Sequence, residues 1–143
     1  MKNLLWIFLF FIWACGENAK QVDASLITDP ENNEAKPTIV FETDTFNFGI
    51  ITQGEKVKYA FKFTNSGKGN LIISSANGSC GCTVPSYPKK PIAPGEQNVV
   101  EVVFDSDGKE GLQNKTVTLV TNAIPNTKTI YIKGEIIAPL SKK

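Results

Sequence analysis

From Thr38 onward the chain alternates apolar and polar residues with a period of two. Val57, Tyr59, Phe61 and Phe63 are interleaved with Lys58, Ala60, Lys62 and Thr64. Successive side chains of a strand point to opposite faces, so this spacing predicts a strand with one face buried. Val100, Val102 and Phe104 form a second such face, although Val99 and Val103 leave its other side apolar too. Val117 with Leu119 and Ile130 with Ile132 complete the set, and Ile72 falls in a short strand after the turn Asn65–Asn70. Pro94-Gly95, Asp107-Gly108, and Asn122 with Pro125-Asn126 punctuate the runs as turns. Strands are therefore expected near 38–42, 45–50, 55–64, 70–76, 97–105, 114–121 and 128–136. No stretch has the 3.6-residue period of a helix. About seven short strands in about 100 residues predict an all-β sandwich.

The N-terminal pattern is different. Lys2 precedes an apolar run, Leu4–Ala14, of eleven residues, and Ala14-Cys15-Gly16 follows. A membrane-spanning helix needs about 20 residues, whereas a secretory leader needs about 7–15. Residues 1–14 are thus read as an export signal. Ile12-Trp13-Ala14-Cys15 resembles the bacterial lipobox. That resemblance implies cleavage before Cys15, lipidation of Cys15, and attachment to a membrane through it. Gly16 in place of aspartate implies an outer-membrane destination by the same resemblance. Residues 15–37 are polar, with Glu17, Asp23, Asp29, Glu31 and Glu34 against Lys20 and Lys36. Such a segment buries too little apolar surface to offset its ordering entropy, so it reads as a lipid-anchored flexible tether with a reach of about 25 Å. The domain is placed at 38–139 and a short tail at 140–143.

Composition narrows the chemistry. The 143 residues carry a formal charge of +1, with 41% hydrophobic and 20% charged residues. There is no histidine, and every one of the 15 cations is a lysine. A histidine-based catalytic triad is excluded, as are imidazole metal ligation and guanidinium clamps on phosphate or guanine. Near-balanced charge argues against nucleic-acid binding. No catalytic residue, metal site or cofactor is expected, and the protein is read as non-enzymatic.

With Cys15 lipidated, Cys80 and Cys82 remain, and an exported chain meets an oxidising compartment. Four readings stay open. If the segment is extended, Cys80, Cys82 and Val84 share an inward face as small fillers. Alternatively the two cysteines form a disulfide, with Gly81 relaxing the backbone between them. A ring that small gains little chain-entropy stabilisation and suits a redox-responsive element better than a staple. As thiolates the pair would hold Cu(I) or half a zinc shell. A nucleophilic thiol would need a cation such as Lys89 or Lys90 nearby.

Pro85, Pro88, Pro91 and Pro94 recur at every third residue, the repeat of polyproline II. One expectation is a crossing between the two sheets with Ile92 packed down. The other is a presented binding loop carrying Tyr87, Lys89 and Lys90. Asp105–Gly111 fails the spacing of a calcium loop and is expected to be a hairpin turn.

Phe46-Asn47-Phe48-Gly49-Ile50, Gly54-Glu55, Phe61–Gly67 and Leu71-Ile72-Ile73 resemble immunoglobulin-like domains of the hydin and major-sperm-protein type. Ser79-Cys80-Gly81-Cys82-Thr83, Pro94-Gly95, Phe104-Asp105-Ser106, Thr121-Asn122 and Gly134-Glu135 resemble, more specifically, the bacterial domain-of-unknown-function family 1573. The resemblance spans Thr38–Glu135 and implies an immunoglobulin-like sandwich on a secreted or lipid-anchored protein. It implies no activity. The expected function is a lipid-anchored, extracytoplasmic module that binds a protein or glycan of the cell envelope. The alternative is a redox-active or copper-handling envelope protein using Cys80 and Cys82.

Overall fold

Phe61 and Phe63 are buried while Lys58, Ala60 and Lys62 on the same strand are exposed. The same alternation repeats along the chain and produces eight strands. In the computed structural model, which describes residues 35–138, they are β1 (Ile39–Phe41), β2 (Thr45–Thr52), β3 (Lys56–Asn65), β4 (Ile73–Gly78), β5 (Thr83–Ser86), β6 (Gln97–Asp105), β7 (Gly111–Thr121) and β8 (Thr127–Ile137). There is no helix among the described residues. Two four-stranded sheets have the orders β1-β3-β6-β5 and β2-β8-β7-β4. Only β2 and β8 pair in parallel.

The expected β-sandwich is thus present. Its core comes from the alternating residues: Phe61, Phe63, Val100, Val102 and Phe104 from one sheet meet Val117, Leu119, Ile130, Ile132 and Ile136 from the other. Full burial of one such side chain is worth about 2 kcal/mol. Phe46 stacks on Tyr59 with ring centroids 3.9 Å apart, and Phe48 lies 5.6 Å from Phe104. A bulge between Asn47 and Ile50 turns this stretch of β2, with Gly49 at φ +73° and its N–H donating to Asn47 Oδ1 at 2.8 Å.

Several local expectations change. The strand expected at 70–76 starts at Ile73. Leu71 and Ile73 turn inward and leave Ile72 exposed. The strand expected at 114–121 begins earlier, at Gly111. β5 lies outside the expected strands; it contains Pro85 and is an edge strand, where a missing N–H is tolerated. The proline-rich stretch does not cross between sheets, because β5 and β6 are neighbours in one sheet. The crossing is made instead by Ser79–Cys82, between β4 and β5. Asp105–Gly111 likewise joins β6 and β7 across the two sheets and is not a hairpin.

The register gives the sandwich two distinct ends. At one lie the turn 66–70, the loop 87–96 and the turn 122–126, together with the entering segment 35–38. At the other lie the connections 53–55 and 106–110 and the end of β8. β1 covers β3 only at Phe63–Asn65, so the remaining edge of β3 is open. Lys56, Lys58 and Lys62 stand along it, a charge pattern that discourages pairing with a further strand.

Candidate functional site

The loop after β5 is held at both sheets. Ile92 is buried and forms a two-way bridge with Leu71, each N–H donating to the other's carbonyl at 2.9 Å. Gly95 N–H donates to Asn65 O at 2.7 Å. Tyr87 is half-buried against the core, and its hydroxyl donates to Ser74 O, in β4 of the opposite sheet, at 3.2 Å. Lys89 Nζ sits 3.4 Å from the centre of the Tyr87 ring, a cation–π contact that pins the lysine and covers that ring face. Lys90 is exposed. Tyr87, Lys89 and Lys90 are therefore together at one end, but Tyr87 is an anchor and not a free aromatic platform.

Beside this loop runs a shallow trough on the sheet. A cleft of about 340 Å³ is lined by Pro88–Ile92, Glu96 and Asn98. A second, of about 240 Å³, lies among Ser86, Tyr87, Pro88, Asn98, Val99 and Glu101. A third, of about 210 Å³, is lined by Lys62, Gln97, Asn98 and Val99. Asn98 lines all three, so the clefts adjoin one another. The local pattern marked Asn98 only as a strand residue. Its role as the floor of the trough arises because β6 runs beside β5 and β3.

Cys80 and Cys82 are joined by a disulfide, with their Cα atoms 5.2 Å apart. Thr83 N–H donates to Cys80 O at 3.1 Å, so the segment is a tight turn and not extended chain. The alternation is reset there: Thr83 is buried and Val84 is 60% exposed. The expectation that Cys80, Cys82 and Val84 share an inward face is thereby overturned. Thr83 Oγ1 lies 3.4 Å from Cys80 Sγ, and Asp105 N–H donates to Cys82 O at 2.9 Å. Thr83 pairs with Phe104, whereas Lys89 and Lys90 line the trough beside Asn98. Six strand residues separate those levels, about 20 Å, so neither lysine activates the cysteines. Among the described residues no three His, Cys, Asp or Glu side chains gather as a metal ion would need. Cys15 lies outside the described residues.

Charge is divided between the two ends. Lys36, Lys68, Lys89, Lys90 and Lys128 belong to the loop end, where the nearest carboxylate, Glu96, accepts the Ala93 N–H at 2.9 Å. The far end carries Glu55, Asp105, Asp107, Glu110 and Glu135 against Lys56 and Lys109. Asp105 accepts the Asp107 N–H at 3.0 Å and pairs with Lys56 at 3.1 Å. The backbone hydrogen bond first, and the Lys56 ammonium second, hold its carboxyl below the ordinary value.

The sandwich has solved counterparts. A protein of unknown function from Porphyromonas gingivalis W83 superposes with a TM-score of 0.62 at 18% identity, over 71% of this chain and 47% of that one. This chain thus spans about half the length of that protein. The ASH/PapD-like domain 7 of human CEP192 superposes with a TM-score of 0.55 at 12% identity, over 71% of this chain and 86% of that one. The Vibrio cholerae VesB protease does so with a TM-score of 0.52 at 20% identity, over 71% and 31%. At these identities the likeness concerns the fold alone. No curated protein matches the sequence. The model of one sequence family, described as "Protein of unknown function (DUF1573)", matches residues 39–136, and the chain belongs to that family.

Proposed function

We propose that this protein is a non-enzymatic binding module of the bacterial cell envelope, held to the outer membrane by lipid on Cys15. It captures an envelope protein or glycan along the trough beside β6. The observation that carries the reading is the row of three adjoining clefts that share Asn98, between a loop braced to both sheets and strands β3 and β6. An extended polymer chain fits such a shape. Fixed walls reduce the ordering cost of capture. The leader, the lipobox-like Ile12–Cys15 and the polar tether support the address.

The test is photo-crosslinking in intact cells from probes at Ser86 and Val99, with a probe at Ile50 on the other sheet as control. Discrete adducts from the two trough positions, competed away by Asn98→Arg, are expected. Equal adducts from Ile50, or none from the trough, would refute the reading.

The Cys80–Cys82 bridge favours one alternative, a redox-active envelope protein, because a disulfide between residues two apart is a poor staple. Thiol counting during titration with a dithiol reductant separates the two. A bridge that stays closed under mild dithiol reductant ends the redox alternative.

A further inference from the structure

We infer that the loop end of the sandwich is a docking surface for the phosphate headgroups of an anionic lipid bilayer. The inference rests on the lipid-anchored reading above and adds a second, electrostatic contact to it. Three independent features converge on this end.

The first is where the chain enters. Lys36 O accepts the Lys68 N–H at 3.0 Å, and Thr38 N–H donates to Asn65 Oδ1 at 3.3 Å. A Cβ on Gly67 or Gly69 would collide with the backbone of residues 35–38, so this segment is seated tightly on the turn. Everything N-terminal of Ala35, Cys15 included, therefore joins the sandwich at its loop end.

The second is charge. Lys36, Lys68, Lys89 and Lys90 are exposed, and Lys128 is half-exposed. The ion pairs found among the described residues, Lys56–Asp105 and Lys58–Glu101, use none of them. Among the described residues, five ammonium groups stand against one engaged carboxylate at this end, while the far end is acidic; the acidic tether, with Glu31 and Glu34 nearest in sequence, enters here and offsets part of that excess. A negatively charged surface would align the domain with its loop end down.

The third is an apolar tip among those lysines. Ile124 is 66% exposed in the turn 122–126, beside Pro125 and Lys128. Ile72, 42% exposed, adjoins it, because Asn122 Oδ1 accepts the Ile72 N–H at 2.8 Å while Asn122 Nδ2 donates to Asn70 O at 2.9 Å. Apolar side chains surrounded by lysine are what an interface between headgroups and acyl chains accommodates. Asn65 and the Leu71–Ile92 bridge keep the loops rigid, so little order has to be imposed on docking. Docked in this way, the domain holds its trough near the bilayer and turns its acidic end and the Cys80–Cys82 bridge outward.

The test uses the full chain carrying Cys15→Ser, which no lipid can modify. Its flotation with vesicles of phosphatidylglycerol and phosphatidylcholine is compared with flotation on phosphatidylcholine alone. The leader contributes to both mixtures, and the ratio reads the anionic term. A surface lysine contributes about fivefold in partitioning. The ratio should therefore exceed about tenfold, fall to parity in Lys68→Glu/Lys89→Glu/Lys90→Glu, and drop severalfold in Ile124→Asp, with melting temperatures unchanged. Equal flotation on both mixtures, or a triple variant that floats as before, overturns the inference. Binding to soluble polyglutamate without anionic flotation also overturns it, in favour of an acidic protein partner. Failure of the anchor reading is seen separately, by mass spectrometry of the native protein. An unacylated native chain whose Cys15→Ser form still prefers anionic vesicles rejects the anchor alone.

Discussion

The side-chain amide of Asn65 donates to the carbonyl of Ile92 at 3.0 Å, joining the last residue of β3 to the middle of a loop 27 residues later. The same amide nitrogen donates to Gly69 O at 2.8 Å, and its oxygen accepts from Thr38 N–H and Gly67 N–H. All four hydrogen-bonding positions of a fully buried amide are used, and three chain segments meet at one residue.

Asn65→Leu keeps the volume and leaves Thr38 N–H, Gly67 N–H and Gly69 O without the amide, while Ile92 O keeps the Leu71 N–H. The expected loss is about 3 kcal/mol or more, read as a lowered midpoint in urea unfolding. Asn65→Asp should also destabilise, because it removes both donors while keeping the acceptor. A midpoint unchanged in both variants would show that the junction does not hold the loop end together.

Gly78 and Gly81 lie three residues apart and should respond differently to alanine. A Cβ at Gly78 would enter the Thr83 backbone, where β4 passes close to the start of β5. A Cβ at Gly81 meets no heavy atom within 4 Å. Gly78→Ala should cost about 2 kcal/mol or more, and Gly81→Ala less than about 0.5 kcal/mol. Thermal unfolding of the two variants side by side checks this.

The Cys80–Cys82 ring is too small to constrain the unfolded chain strongly. Chain-entropy arguments give it at most about 2 kcal/mol. Cys80→Ser/Cys82→Ser should therefore fold to the same sandwich by circular dichroism and melt only modestly lower. Loss of the β signal in the double variant would mean that the bridge holds the crossing in place.

Asp105 gives the far end a pH dependence of known sign. Its carboxyl titrates lower in the folded protein than in the unfolded chain, where the value is about 3.9. Its contribution to stability is present above that unfolded value and is lost as the pH falls through the folded one. The melting-temperature gap between the native chain and Asp105→Asn should be open at pH 6 and close toward pH 2. A gap independent of pH would assign the effect to packing instead of charge. The group is partly exposed to solvent, so the gap will be small.

Much of the sandwich was legible in short-range spacing. Phe61 and Phe63, Val100 and Phe104, and Ile130 and Ile132 were assigned to buried faces by period alone, and each is buried. A period of two is a local consequence of backbone pleating and needs no knowledge of the partner strand. Where the local signal was weak or mixed, the reading slipped. β5 lies outside the expected strands, and the strand expected at 70–76 starts at Ile73. Tyr87, Lys89 and Lys90 were marked as a loop, but Asn98, Lys68, Lys128 and Ile124 gave no sign of belonging with it.

The chain's own order of residues determined its strand content, its exclusion of histidine and guanidinium chemistry, and which side chains would be buried. Tertiary structure alone decided which strands became neighbours, that Ser79–Cys82 and not the prolines crosses between sheets, and that five lysines from four separate segments share one end. The reason is physical. Burial along a strand is set by residues two apart, whereas the grouping of Lys36, Lys68, Lys89, Lys90 and Lys128 depends on closing long loops, and no spacing in the chain records which loops close.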